Sequence, residues 1–164
     1  TMVVMTHSDN SPSADNQQER LAFWIVGFVD GEGTFSVSLN RNSTTTTGYQ
    51  VFPEFVVTQG AKSLPVLQEI QQYFGCGKIY ENRRHDNHRE SMYRYVVRSF
   101  NDLTTVIIPF FQKIPLRTAK QNDFQKFCEV IELMKERKHI NSVGVGTIRL
   151  IINRMNRRAK ILRH

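Results

Sequence analysis

Two carboxylates placed two residues apart, Asp30 and Glu32, end an apolar run and alternate with glycines in Ile25-Val26-Gly27-Phe28-Val29-Asp30-Gly31-Glu32-Gly33. Gly27 and Gly31 are four residues apart, so a helix would carry them on one face and leave a strip of bare backbone there. A second helix can approach such a strip more closely than it could approach leucines, which makes Trp24, Gly27, Phe28 and Gly31 the candidate helix contact. Gly31 and Gly33 also suit a helix C-terminus that wants a residue at positive φ. Glu32 then stands just past the negative end of a helix, where an acid needs a positive partner, and a divalent metal is the natural candidate. Mg²⁺ takes few carboxylates and fills its shell with waters and phosphate oxygens, so Glu32 with the Gly31 carbonyl is a sufficient donor set per subunit. Asp30 reads more simply, as a cap bonding local backbone amides.

These residues need elements to hold them. Gln17 to Asp30 has Leu21, Trp24, Ile25 and Phe28 at helical spacing. Thr34 to Arg41 alternates as a half-buried strand, with Phe35, Val37 and Leu39 on one face. Asn42 to Gly48 is a polar turn. Gln50 to Thr58 is the returning strand, in which Pro53 implies an edge or a bulge. Ser63 caps a helix running to Tyr73 or Phe74, with Pro65 in its first turn. A second hairpin joins Lys78–Asn82 to Met92–Ser99 through the charged loop 83–90. Asn101 caps a short helix toward Phe111, Thr118 opens a longer one to about Lys138, and a last helix starts at Ser142 or Thr147 and runs to Lys160. This order, α-ββ-α-ββ-α-α(-α), predicts an α+β domain of αββαββα type. Its curved antiparallel sheet has helices on one face.

The other face of that sheet would carry Ser36, Ser38, Asn40, Asn42, Gln50, Glu54, Lys78, Tyr80, Asn82, Arg94 and Arg98. Reading base edges needs such a mixture: Arg and Lys suit guanine, Asn and Gln suit adenine, and Glu accepts from cytosine. A two-stranded ribbon fits the major groove. Charge agrees, with 22 Lys+Arg against 15 Asp+Glu and a net charge of +7 over 164 residues. Such a balance favours an anionic partner, and nucleic acid is the commonest. The stretch from Arg149 to His164 adds Arg149, Arg154, Arg157, Arg158, Lys160 and Arg163 with no acid. An apolar stripe of Ile148, Ile151, Ile152 and Met155 runs beside them, so this basic helix suits backbone contact outside the central site.

Other classes are disfavoured. Cys76 and Cys128 make no disulfide or metal framework and read as reduced thiols of an intracellular protein. His85 and His88 lack the further ligands of a tetrahedral site. No apolar run is long enough to span a membrane. Residues 1–16 are polar and read as a disordered leader without signal-peptide character, which leaves 17–164 as one domain.

The nonapeptide resembles the signature of the LAGLIDADG homing endonucleases, with Gly27, Asp30, Gly31, Glu32 and Gly33 matching and Glu32 at the family's metal-binding acid. The likeness continues through the alternating strand after Gly33, through Val57-Thr58-Gln59 and through Pro115-Leu116-Arg117-Thr118-Ala119-Lys120-Gln121. It spans about Gln17 to Lys138. The resemblance implies a site-specific double-strand DNA endonuclease leaving 3′ overhangs. Two motif helices pack together, and because the motif occurs once here, the partner is a second copy in a C2 homodimer on a long pseudo-palindromic duplex. Mg²⁺ is the implied cofactor, with Mn²⁺ substituting and Ca²⁺ supporting binding without cleavage. Gln59 matches a position that orders solvent around the nucleophile. Arg117, Lys120 and Lys62 fall where basic residues stabilise charge on the phosphoryl oxygens, with Lys120 favoured. An organellar (mitochondrial or chloroplast) or archaeal setting is implied as well. Two alternatives share the fold: an intron maturase binding RNA, and a sequence-specific DNA-binding protein without catalysis.

Overall fold

The computed structural model describes residues 13–82 and 91–155. The leader up to residue 12, the loop holding His85 and His88, and Arg157, Arg158, Lys160 and Arg163 lie outside the described residues.

The first helix, α1 (Ala14–Glu32), starts three residues earlier than expected and takes in residues 14–16. Ala14 and the run Gln17-Gln18-Glu19-Arg20-Leu21-Ala22 are good helix formers, and the Ser13 carbonyl accepts from the Asn16 and Gln17 amides at 2.9 and 3.1 Å. The helix includes Glu32 and passes directly into strand β1 (Gly33–Arg41) with no loop. Neither Gly31 nor Gly33 adopts positive φ, contrary to the expectation from the motif. Gly33 is extended (φ −81°, ψ 164°). Its glycine serves close approach: a Cβ there would meet Val29 Cγ1 at 2.6 Å and the Val29 carbonyl oxygen at 2.9 Å.

Strand β2 (Tyr49–Gly60) pairs antiparallel with all of β1, placing Phe35 opposite Phe55. Asn42 organises the turn between them, its Oδ1 accepting from the Thr44 amide at 3.0 Å. The pairing runs through Pro53 without a bulge. Strand β4 joins β2 only from Phe55 onward, so Pro53 lies where β2 has one neighbour, a place that tolerates a missing N–H. With β3 (Lys78–Asn82) and β4 (Met92–Val97), the sheet order is β1-β2-β4-β3, antiparallel throughout.

Helix α2 (Leu64–Phe74) has Pro65 in its first turn and ends at Gly75 in the left-handed region (φ 65°), but Ser63 makes no side-chain cap. After β4, a short α3 (Phe100–Asp102) is capped by Ser99, whose Oγ accepts from the Asp102 amide at 3.2 Å. Asn101, the expected cap, instead offers its carbonyl to the Thr104 and Thr105 hydroxyls. A widened π-turn over Leu103–Ile107 leads into α4 (Ile108–Lys113). Pro109 cannot donate to the Thr105 carbonyl, and the wider turn accommodates that loss. The turn shifts the helical phase, so Leu103, Ile107, Ile108 and Phe111 are buried while Val106 and Phe110 pack at the edge. Helices α5 (Lys120–Lys135) and α6 (Ser142–Met155) complete the layer.

Phe35 is the hub of the core. It stacks on Phe55 at 5.0 Å and meets Phe111, Phe124 and Phe127 edge-on at 5.3, 5.0 and 5.5 Å. One ring therefore ties β1 and β2 to α4 and α5. Truncating a buried Phe of this kind costs about 3–5 kcal/mol. The consequence for the site is positional, because β1 leaves α1 two residues upstream of this hub.

Candidate functional site

The two acids of the motif have different surroundings. The Asp30 carboxylate accepts the Arg117 amide at 2.8 Å, the Thr118 amide at 3.1 Å and the Thr118 hydroxyl. It is a clamp, as expected in kind, but the amides lie 87 and 88 residues downstream rather than nearby. Its slight burial favours the neutral acid. The Thr118 hydroxyl, the Arg117 and Thr118 amides and the Lys120 charge outweigh this and hold its pKa below the ordinary carboxylate value. The Thr118 hydroxyl also accepts from the Lys120 amide at 3.2 Å, which sets the start of α5. Helix α5 therefore opens two residues after Thr118, not at it.

Lys120 is the positive group that the end of α1 requires. Its Nζ donates to the Val29 carbonyl at 2.8 Å, complementing the negative helix terminus. Partial burial pulls its pKa down, opposed by the charges of Asp30, Glu32 and Asp123. The expectation that something positive stands near this helix end is met by a lysine. Three acids act on this one lysine, so negative charge remains in excess.

Glu32 is exposed, and Gln59 Nε2 donates to its Oε2 over a long 3.4 Å. Its lone pairs are largely uncommitted, in contrast to those of Asp30. An exposed carboxylate beside helix-end carbonyls that lack i+4 donors is an oxygen donor set suited to Mg²⁺ with water and phosphate completing the shell. Among the described residues no group of three or more His, Cys, Asp or Glu could enclose a metal. A closed protein cage is therefore absent there, and an open, phosphate-completed site is what the donors fit. Gln59 ends β2 next to Gly60, and Lys62 follows in the 3₁₀ turn Ala61–Ser63, at the same end of the sheet. Arg117 gives its amide to Asp30 and lines a groove with Phe23 and Gly27. Lys120 is thus a basic residue whose charge is coupled to both Asp30 and Glu32.

The strand register places nine of the eleven candidate reading residues on one side, and Asn42 and Arg98 follow directly on the ends of β1 and β4. Ser36 faces Glu54, Asn40 faces Gln50, and Tyr80 faces Arg94, each pair on the side away from the helices. Asn42 stands at the start of the turn and donates to Gln50 Oε1 at 3.1 Å. Ser38 and Phe52 form the next row; Phe52 was not foreseen on this face, although its position in the alternation gives it away. Val56 and Val96 pair in the middle and are buried there, one dry row on a polar surface. Glu54 bridges two arginines, 2.9 Å from Arg98 Nε and 3.4 Å from Arg94 Nη2.

The outer side of α1 is open. Phe23 and Trp24 are 56% and 42% exposed, Trp24 stacks on Phe28 at 5.2 Å, and no atom lies within 4 Å of a Cβ built on Gly27 or Gly31. Phe23 belongs to this face and was missed, although it lies four residues before Gly27 on the same helical strip. At the turn end of the β1–β2 hairpin, Arg149 of α6 lies over the Tyr49 ring at 4.9 Å. Among the described residues, no helix is long and apolar enough to cross a membrane.

Known proteins share these features. The family model described as LAGLIDADG endonuclease matches residues 25–131. A probable intron-encoded endonuclease 3 of Neurospora crassa is 31% identical over 132 residues, covering 80% of this chain and 24% of that protein. The chain spans about a quarter of the length of the first curated relatives it matches. The crystal structure of a homing endonuclease, I-TnaI, is 36% identical with a TM-score of 0.73, covering 87% of this chain and 97% of that one. I-SmaMI, bound to an uncleaved DNA target in the presence of calcium ions, is 28% identical with a TM-score of 0.77, over 95% of this chain and 49% of that one. The fold, the motif and these likenesses agree: the chain belongs to the LAGLIDADG endonuclease family.

Proposed function

We propose that this protein is a homing endonuclease that hydrolyses phosphodiester bonds in both strands of a long, pseudo-palindromic DNA site, working as a homodimer with Mg²⁺. The observation that carries the reading is the exposed Glu32 carboxylate, left largely uncommitted beside Lys120 and Gln59 at the end of the sheet whose open face bears the polar residues. A phosphate brought to that end meets an acid able to share a cation with it and a lysine able to take up its developing charge.

A divalent cation, when bound, supplies Lewis-acid activation of water and neutralises phosphate charge. Glu32, with the Gly31 carbonyl, holds it. Lys120, fixed on the Val29 carbonyl and backed by the Asp30–Thr118 clamp, stabilises the phosphoryl oxygens as negative charge builds. Gln59 orients solvent, a role suited to an amide, which is no strong base. The open face of α1 meets the same face of a second copy through Trp24, Gly27, Phe28 and Gly31. Each copy then presents one acid to one strand, and 3′ overhangs follow from cuts facing each other across the minor groove. Mn²⁺ substitutes for Mg²⁺, and Ca²⁺ supports binding without cutting. I-SmaMI in complex with DNA and calcium ions supports a divalent requirement. Relatives named as intron-encoded support an intron-borne, organellar origin, and I-ApeII of Aeropyrum pernix keeps an archaeal one in view.

The test is a nicking and cleavage assay on intron-insertion DNA with Mg²⁺, Mn²⁺ or Ca²⁺. Cutting with Mg²⁺ and binding alone with Ca²⁺ is the expected result. Tight binding with no strand cut under any divalent ion overturns the enzyme assignment.

A further inference from the structure

Among the polar residues of the open face, Arg98 is held unlike the others. We infer that Arg98 is a pre-oriented guanine reader and that Glu54 is the residue that orients it; this rests on the DNA-reading role proposed above and deepens it.

A solvent-exposed arginine ordinarily samples many rotamers, and a surface ion pair adds little order. Arg98 is restrained from three sides. Its Nε donates to Glu54 Oε2 at 2.9 Å. Its guanidinium carbon lies 5.8 Å from the centre of the Phe52 ring and 5.9 Å from that of Tyr80. The two rings come from β2 and β3, on either side of β4, at whose end Arg98 projects. Guanidinium planes favour aromatic neighbours. Because the ion pair engages Nε, the edge formed by the two Nη groups keeps donors to offer. That edge is the fork that fits O6 and N7 of guanine in the major groove.

Arg94 meets the same carboxylate through Nη2 at 3.4 Å, so its fork is the part engaged. It must let go of Glu54 before it can use both Nη groups. The two arginines are four residues apart on one strand, a rise of roughly 13 Å. They therefore address different base pairs, and one carboxylate cannot neutralise both. The same geometry gives Glu54 a second effect. It removes charge from the face, so binding to arbitrary duplexes is weaker than two free arginines would make it.

The experiment uses the full chain and a duplex library with randomised positions, binding in EDTA so that cutting does not enter the readout. Bound and unbound pools are sequenced for the wild type, Arg98→Gln, Arg98→Lys and Glu54→Gln. The expected wild-type preference includes guanine at one position per half-site. Arg98→Gln loses that preference, by about 5- to 150-fold, and Arg98→Lys, which has no planar fork but can still donate to guanine, keeps only a part of it, while preferences at other positions stay. Glu54→Gln weakens the same guanine preference yet raises affinity for all duplexes. Affinity that falls evenly across all sequences in Arg98→Gln, with the guanine preference intact, makes Arg98 a phosphate contact and overturns the inference. An unchanged preference in Glu54→Gln overturns the orienting role. A wild type that enriches no sequence at all instead removes the DNA-reading function itself, before Arg98 is in question.

Discussion

The end of α1 and the open face of the sheet use the same chemistry in opposite proportions. At the helix end, Asp30, Glu32 and Asp123 act on a single lysine, Lys120. On the sheet, a single Glu54 serves two arginines, Arg94 and Arg98. Ion pairs that balance are indifferent to ligands, whereas these two are unbalanced by design of the fold. Excess acid at the first suits a cation, and excess guanidinium at the second suits DNA. The difference also shows in commitment: Asp30 spends its oxygens on backbone amides, and that leaves Glu32 as the acid with capacity to spare.

The most severe way to break this contrast is at the helix end. Glu32→Gln removes the ligand charge without removing bulk, and cleavage is expected to be abolished with duplex binding largely kept; gel-shift and cleavage assays on one preparation check it. Undiminished turnover would take Glu32 out of the site. Lys120→Met comes next, with cleavage lowered by about 10²–10³. If the lysine only caps α1, stability falls instead and the rate is unchanged.

Gly27→Leu separates interface from fold. A side chain at Gly27 meets nothing within 4 Å inside the protomer, so the thermal midpoint should hold while sedimentation shows a monomer. Gly33→Ala does the opposite, because its Cβ would strike Val29. A loss of about 1–3 kcal/mol in denaturant titration is expected.

The smallest effect sharpens the role of Asp30. Its folded-state pKa lies below the ordinary value, so its clamp contributes stability above the unfolded carboxylate pKa and loses it as pH falls through the lower, folded one. Asp30→Asn should flatten that acid limb. The group is partly exposed, and solvent screening keeps the change modest. An acid limb identical to wild type would show that the clamp adds nothing.

Much of the open face could be read beforehand, since alternation along Thr34–Arg41 and Met92–Val97 fixes the side each residue takes. Its ion pairs could not. Glu54 meets Arg98 only because β2 and β4 are neighbours, 44 residues apart in sequence. Asp30 was legible as a cap, but nothing near it in sequence names Thr118. Lys120 was ranked ahead of Arg117 and Lys62 by the motif alone; burial against Val29 is what distinguishes it physically. The glycines misled for a simple reason. Composition suggests left-handed backbone, while Gly33 is needed for room and Gly31 lies on an empty surface. Ser99 is the cap in place of Asn101 because the helix begins at Phe100, which puts Asn101 inside its first turn.

The direct passage from helix to strand at Glu32–Gly33 has one more consequence. With no linker to absorb a change, a single residue inserted there would invert β1 and send Phe35 to solvent while turning serines into the core. The spacing between the acid and every group along β1 is therefore a fixed ruler, and altered target specificity must come from exchanging side chains on that ruler, not from changing its length.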